Sequence, residues 1–477
     1  MKKQIEYIAF GLMLILGIAA CNDEDNGVLS DNNVVEEVPL SNLDQWSSGS
    51  EVMMQSFFWD VPAGGIWWEF IENEVDDWAE AGVDRVWLPQ FAKSESGGYS
   101  MGYDVSDYFD LGEYEQYGTV ETRFGSKAEL LSLIKAIHDN GMEVLADIVI
   151  NHNGGGALEV NGRDGKDYYT LFTPEAGTNK SGRFNRNWES FKPYDDSYLF
   201  YNDKNLDLNS AYVRAQLWTD DNSVAKYYKN ELGIDGWRFD YVKGYAPEVN
   251  KAWNEATGNM FSVGENWDGN PDVLEAWVEA SGSKAFDFAA FYNVEKAFDS
   301  QRDLTVLLNE GLVNRNMEMA VGFMANHDTD DRDAAYDGYI DVKFKPLAYA
   351  YMLTHFKYST LFYSDYEEKL DKQALNTLIK INKTIACGDL DILFSSKYEY
   401  IAEREGNDNN PGLISYFNIS SGAKTHIVRT KWEEGTEIYD YTGNALKYLT
   451  EPTVVGKDGF VTITVAPNSY AVWSVVN

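Results

Sequence analysis

From about Glu51 onward, short β-rich runs alternate with amphipathic helical runs, and this rhythm constrains the fold more than any other feature of the chain. Val83–Leu88 reads as a strand. Lys127–Asn140 reads as a helix, with Leu130, Leu133, Ile134 and Ile137 at helical spacing and Gly141 ending it. Met142–Ile150 is again a strand. The alternation resumes with Ala211–Leu232 (helix), Gly236–Val242 (strand), Met260–Glu265 (strand), Pro271–Ala280 (helix) and Met319–Ala325 (strand). Repeated βα units imply a parallel sheet covered by helices. So many in one run predict an α/β fold with a closed (β/α)8 TIM barrel, placed over residues 51–388.

Two stretches break the rhythm. Residues 153–208 are rich in Gly, Asn, Asp and Tyr, with no helical periodicity, and are too long for an ordinary βα loop. They are expected to form a small domain inserted after the third strand. From 389 to 477 the pattern turns to short strands and turns, which predicts a separate C-terminal antiparallel β-domain.

The 477 residues carry 77 acidic and 39 basic side chains, a formal net charge of −38. Such a field repels nucleic acid and anionic lipid, and leaves a neutral polymer or a cation as compatible partners. Two cysteines are too few for the usual cysteine-built zinc centres. At the N-terminus, Lys2 and Lys3 precede an apolar run, Ile8–Ala20, short for a membrane span but right for an export signal. The run ends Ile18-Ala19-Ala20-Cys21, which resembles a bacterial lipoprotein box. That resemblance implies a signal over residues 1–21 and a lipidated Cys21, followed by a flexible tether over 22–50. The expectation is an exported protein lipid-anchored to the bacterial outer membrane, touching membrane through that anchor alone. The acidic residues after Cys21 point to its outer surface.

Barrel active sites lie at the C-terminal ends of the strands. One such end reads Asp147-Ile148-Val149-Ile150-Asn151-His152, another Gly236-Trp237-Arg238-Phe239-Asp240-Tyr241-Val242-Lys243, a third Val263-Gly264-Glu265-Asn266-Trp267, and a fourth Phe323-Met324-Ala325-Asn326-His327-Asp328. Any one of these acids alone would read as a solvated loop carboxylate. Their recurrence in one funnel, each flanked by Asn, His, Arg or Lys, points to an active site rather than to solvated loops.

These segments resemble the conserved regions of the α-amylase family of glycoside hydrolases, whose patterns run D-x-x-x-N-H, G-x-R-x-D-x-x-K, a strand ending in Glu, and N-H-D. Gly102-Tyr103-Asp104, Gly118-Thr119 and Arg123-Phe124-Gly125 resemble the family's second barrel loop. The runs GWRFDYVKGYAP and MQSFFWDVPAGGIWWE look most like its archaeal and plant-like branch. The resemblance implies endo-acting, retaining hydrolysis of α-1,4-glucosidic bonds in starch, glycogen and related α-glucan polysaccharides. It implies Asp240 as nucleophile, Glu265 as general acid and base, and Asp328 as the third carboxylate. Tyr103, His152, Arg238, Lys243 and His327 would bind substrate, and Asp147 would orient the site. It also implies calcium (Ca2+), held by Asn151, Asp207 and the carbonyl of Gly244, pinning the insert to the barrel. One departure stands before the eighth strand: Lys357–Phe362 replaces the usual Gly-x-Pro turn. A glucanotransferase or α-glucosidase would share the same catalytic residues, and a non-catalytic starch-binding surface protein would typically have lost a carboxylate.

Overall fold

The protein is described by a computed structural model over residues 38–173, 181–198, 200–330, 339–449 and 451–476. The expected signal and most of the expected tether lie outside these residues.

Eight strands close into a barrel: β1 (Glu51–Gln55), β2 (Arg85–Leu88), β3 (Glu143–Ile148), β4 (Gly236–Phe239), β5 (Phe261–Gly264), β6 (Lys284–Phe286), β7 (Ala320–Phe323) and β8 (Tyr358–Phe362). They follow one another around the barrel in chain order, and every neighbouring pair is parallel, including the closing pair β8–β1. Residues of β2, β4 and β7 are buried throughout, as in a sheet covered on both faces. Between β2 and β3, helix α1 (Lys127–Asp139) buries Leu130, Leu133, Ile134 and Ile137. It starts at a capping box in which Ser126 and Glu129 satisfy each other's backbone N–H.

Two elements differ from the sequence expectation. The helix expected over Ala211–Leu232 is two helical stretches, broken where Asp220 turns to extended backbone. The polar run Thr219-Asp220-Asp221-Asn222-Ser223 bonds to itself instead, Ser223 N–H donating to Asp220 O at 3.1 Å. Strand β4 stops at Phe239, because Tyr241 takes a left-handed conformation (φ 39°) that ends extended pairing.

The tether expected to run through Ser50 is folded from residue 38 onward. Leu40–Leu43 form a 3-10 turn with Leu43 fully buried. This segment docks on helix α2 (Lys372–Ile385), with Ser48 Oγ donating to Asn382 O at 2.6 Å. Asn42 Nδ2 donates to Tyr441 Oη at 2.6 Å, and Trp46 packs on both the barrel core and the C-terminal core. Apolar Leu40, Leu43 and Trp46 within a polar stretch give this segment enough buried surface to order.

The C-terminal domain contains β9 (Leu390–Ser395), β10 (Glu399–Arg404), β11 (Leu413–Asn418), β12 (Lys424–Arg429), β13 (Glu437–Asp440), β14 (Thr453–Val454), β15 (Phe460–Val465) and β16 (Ser469–Val475). Six form an antiparallel sheet in the order β9-β10-β11-β16-β13-β14, and β12 pairs with β15. Ile401, Ile414, Ile463 and Trp473 are among the side chains of its own core. Among the described residues, no helix is long and apolar enough to cross a membrane.

Candidate active site

The segments that leave β3, β4, β5 and β7 bring their acids to one place. Asp240 follows β4, Glu265 follows β5, and Asp328 lies beyond β7. Together with Tyr103, His152, Lys243 and His327 they line a cleft of about 760 Å³. Arg238 lies beneath it and is 1% exposed.

Arg238 organises the acids. Positions 238 and 240 share a side of the strand because strand side chains alternate. The Arg238 Nη1 group donates to Asp240 Oδ1 and to Asp147 Oδ1, each at 2.9 Å. Its Nη2 lies 2.7 Å from Glu265 Oε1, an ion-pair contact off the line of a hydrogen bond. The second oxygen of Glu265 accepts from the Tyr241 N–H at 3.1 Å. The left-handed turn at Tyr241 thus aims a backbone donor at Glu265 as well as ending β4. Asp147 is a scaffold acid: its other oxygen accepts from Trp87 Nε1 at 3.1 Å and from Tyr103 Oη at 3.0 Å.

One guanidinium cannot neutralise this many buried carboxylates. Burial pushes all three cleft acids up, against the pull of Arg238: Glu265 to about 8, Asp240 to about 7 and Asp328 to about 6. Neighbouring carboxylates add to the rise, Asp147 and Asp328 at Asp240, Asp240 and Asp328 at Glu265. Arg238 hydrogen-bonds Asp240 but only contacts Glu265, so the anion is favoured at Asp240 and the proton at Glu265.

The two histidines are neutral. Burial lowers His327 to about 3 and His152 to about 4. Gln55 Nε2 donates to His327 Nδ1 at 2.9 Å, which leaves the proton on Nε2, 3.3 Å from Asp328 Oδ2. His152 Nε2 donates to Tyr103 O at 2.9 Å, and its Nδ1 accepts from Asn151 Nδ2 at 3.2 Å. Its ring faces the cleft, but both nitrogens are engaged by protein, so the expected sugar contact would need one of them to be released. The rings of Tyr103, His327 and Trp59 are near-parallel and mutually adjacent, with Tyr103 5.2 Å from His327 (3°), 5.8 Å from Trp59 (14°), and Trp59 6.1 Å from His327 (11°). Lys243 Nζ, on the rim, donates to Trp267 O and Asp268 Oδ2, both at 3.0 Å.

Sequence reasoning missed several contributors. Trp87 and Gln55 lie on β2 and β1, and their roles depend on cross-barrel contacts that local pattern does not encode. Trp59 lay within the run MQSFFWDVPAGGIWWE, which carried family likeness, but no spacing singled it out.

The expected calcium ligands do converge. Asn151, Asp207 and Gly244 meet where the insert returns to the barrel. Leu206 N–H donates to Asn151 O at 3.0 Å, and Asp207 N–H to Ser190 O at 2.9 Å. The amide oxygen of Asn151 is buried without a hydrogen-bond partner and lies against Gly244. The carbonyl of Gly244, however, accepts from Lys192 Nζ at 3.2 Å, and Asp207 is the carboxylate whose charge acts on that ammonium. Among the described residues, no three His, Cys, Asp or Glu side chains form a metal-holding group. Calcium wants six to eight oxygens. Further ligands are expected from the insert without being assigned, but of the three named ones the Gly244 carbonyl is taken by an ammonium, which does not fit a calcium ion at that ligand.

Comparison with known proteins agrees with this geometry. A family model described as the alpha amylase catalytic domain matches residues 68–330, and one described as the alpha-amylase C-terminal domain matches residues 413–474. An α-amylase of Bacillus licheniformis is 29% identical, over 86% of this chain and 90% of its own. An α-amylase of Geobacillus stearothermophilus is 28% identical, over 88% and 86%. A chloroplastic α-amylase of Arabidopsis thaliana is 27% identical over 68% of this chain, so these likenesses do not single out the plant-like branch. The crystal structure of an α-amylase from Geobacillus thermoleovorans, complexed with acarbose, superposes with a TM-score of 0.67 at 16% identity, covering 90% of this chain and 98% of that one. The catalytic-domain match spans more than half the sequence, and the chain belongs to the α-amylase family.

Proposed function

We propose that the protein is an endo-acting, retaining glycoside hydrolase that cleaves α-1,4-glucosidic bonds in starch-like glucans. The observation that carries this reading is the sharing of the Arg238 guanidinium by Asp240 and Glu265 at the floor of one cleft. A retaining enzyme needs two carboxyl groups about 5–5.5 Å apart, one ionised and one protonated. Arg238 favours the anion at Asp240, and Glu265 holds its proton most firmly.

Asp240 attacks the anomeric carbon while Glu265 gives its proton to the departing glycosidic oxygen. The sugar is left esterified to Asp240. Glu265, now a carboxylate, takes a proton from water as that water attacks the same carbon, which frees Asp240 and restores the acid. Asp328 adds negative charge beside the cationic transition state, and the aromatic rings of Tyr103 and Trp59 offer apolar faces for sugar. The relatives named α-amylase and glucan 1,4-alpha-maltohexaosidase support an α-1,4-linked glucan as the substrate. In the test, Asp240→Asn and Glu265→Gln each lose at least about 10³-fold in reducing-sugar release from soluble starch. The first product appears as the α-anomer by NMR. Near-normal turnover in either variant, or a β-anomeric product, overturns the reading.

The same proposal places the enzyme outside the inner membrane, on a lipid carried by Cys21. The support is the charged, apolar, then small-residue-and-Cys order of residues 1–21. Mass spectrometry of the mature protein should find a lipidated N-terminal Cys21, and an unmodified terminus elsewhere rejects the anchor.

A further inference from the structure

We propose that the ammonium of Lys192 is the cation that ties the inserted domain to the barrel, in the place where calcium was expected, so that this protein holds its active form without bound calcium. The backbone sets it there. Residues 190–192 pair with 205–207, and 205–206 pair in turn with 151–152: Lys192 N–H donates to Asn205 O at 2.7 Å, and bridges join Phe191 to Leu206 and His152 to Asn205. This ladder brings Lys192, Asp207 and Asn151 to the turn that follows β4, where Gly244 O accepts from Lys192 Nζ. The Tyr198 ring backs the ammonium, its centroid 5.6 Å from Nζ.

The surroundings suit one positive charge. An ammonium has three donors to place. Gly244 O takes one, the Asp207 carboxylate acts on the ammonium through its charge, and the unpartnered Asn151 oxygen lies beside Gly244. The spot gathers a carbonyl, a carboxylate charge and an amide oxygen, and Lys192 brings a positive charge to it from within the chain by holding the Gly244 carbonyl. The ammonium already offsets the Asp207 charge, so a divalent ion entering beside it would meet a like charge. The insert uses the same device elsewhere. Lys204 Nζ pairs with Glu95 Oε2 at 3.2 Å, and the buried Arg186 donates from Nη2 to Ser106 O at 2.5 Å. Chain-borne cations thus fasten the insert to the second barrel loop as well.

The test uses the full chain and does not depend on its activity being correctly assigned. Protein purified in EDTA and returned to metal-free buffer is analysed for calcium by plasma mass spectrometry, and its melting is followed by circular dichroism. Calcium well below one equivalent is expected, with the same Tm before and after chelation and no rise on adding millimolar calcium. Lys192→Met should lower Tm by roughly 2–4 °C, and Lys192→Arg should recover part of that loss. Lys192→Asp, which replaces the ammonium with a second carboxylate, should gain a calcium-dependent rise in Tm that wild type lacks. One tightly held equivalent of calcium in wild type, with a Tm that falls on its removal, overturns the proposal. If the variants do not fold, the wild-type metal content and chelation melt decide alone.

Discussion

Replacing Arg238 with methionine removes the guanidinium that three carboxylates share, and the consequence can be worked from the geometry. The Arg238–Asp240 contact is 2.9 Å. With charge centres about 4 Å apart and an effective dielectric near 20, the attraction is about 4 kcal/mol, roughly a thousandfold in acidity. Asp240 stands at about 7 with Arg238 pulling it down. Without that cation its acidity falls further, and the nucleophile is protonated across the neutral range. At pH 6 the ionised fraction, and with it kcat/KM, should drop about 10³-fold. The acid limb of the pH profile should move to higher pH. Breaking the buried pair should also cost about 3–5 kcal/mol of stability, lessened because the freed acids take up protons. The assay is kcat/KM on a chromogenic maltooligosaccharide from about pH 5 to about pH 9, which reports the free enzyme. Circular dichroism verifies the fold. Arg238→Lys, which keeps a charge but not the fork, should show a smaller shift in the same direction. A folded Arg238→Met chain with an unmoved acid limb and less than about tenfold loss at pH 6 would refute the account of Arg238 as the group that ionises the nucleophile.

Two further outcomes follow from the same packing. Glu265 is raised in the folded chain from 4.5 to about 8, so the folded state binds this proton more tightly than the unfolded one. Its contribution to stability is complete below about pH 4.5 and is lost as pH rises through about 8. Glu265→Gln should therefore melt higher than wild type near pH 9 and close to it near pH 5, and a gain independent of pH would contradict this. At Gly244 an added Cβ would lie 2.1 Å from Asn151 Oδ1 and 3.0 Å from Tyr241 Cδ1. Gly244→Ala should cost about 1–3 kcal/mol and lower Tm by several degrees, and an unchanged melt would rule out the close approach.

The barrel was legible because its signals are local and periodic. The apolar spacing of Leu130, Leu133, Ile134 and Ile137 and the acids at four strand ends lie within short windows. Strand β6 escaped notice because three residues, Lys284–Phe286, are too few to show alternation. The break at Asp220 was hidden beneath apolar residues at helical spacing on either side. The cradle of Asp147, built by Trp87 and Tyr103, and the pairing of Gln55 with His327 join residues far apart in sequence. Lys192 is the clearest case: it stands in a polar stretch without periodicity, and only the ladder between 190–192 and 205–207 delivers it to the place read as a calcium site.

The docked segment from residue 38 to residue 50 fixes how far the enzyme could travel on the proposed anchor. It enters β1 at Glu51, the end of the barrel opposite the cleft, and is fastened there to Asn382 and Tyr441. Sixteen residues, 22–37, separate Cys21 from this docked segment, and sixteen residues can span at most about 55 Å. An anchor at Cys21 would join the enzyme on the side of the barrel opposite the cleft. Such an enzyme would sweep a thin shell above the membrane, and a polymer would have to come to it.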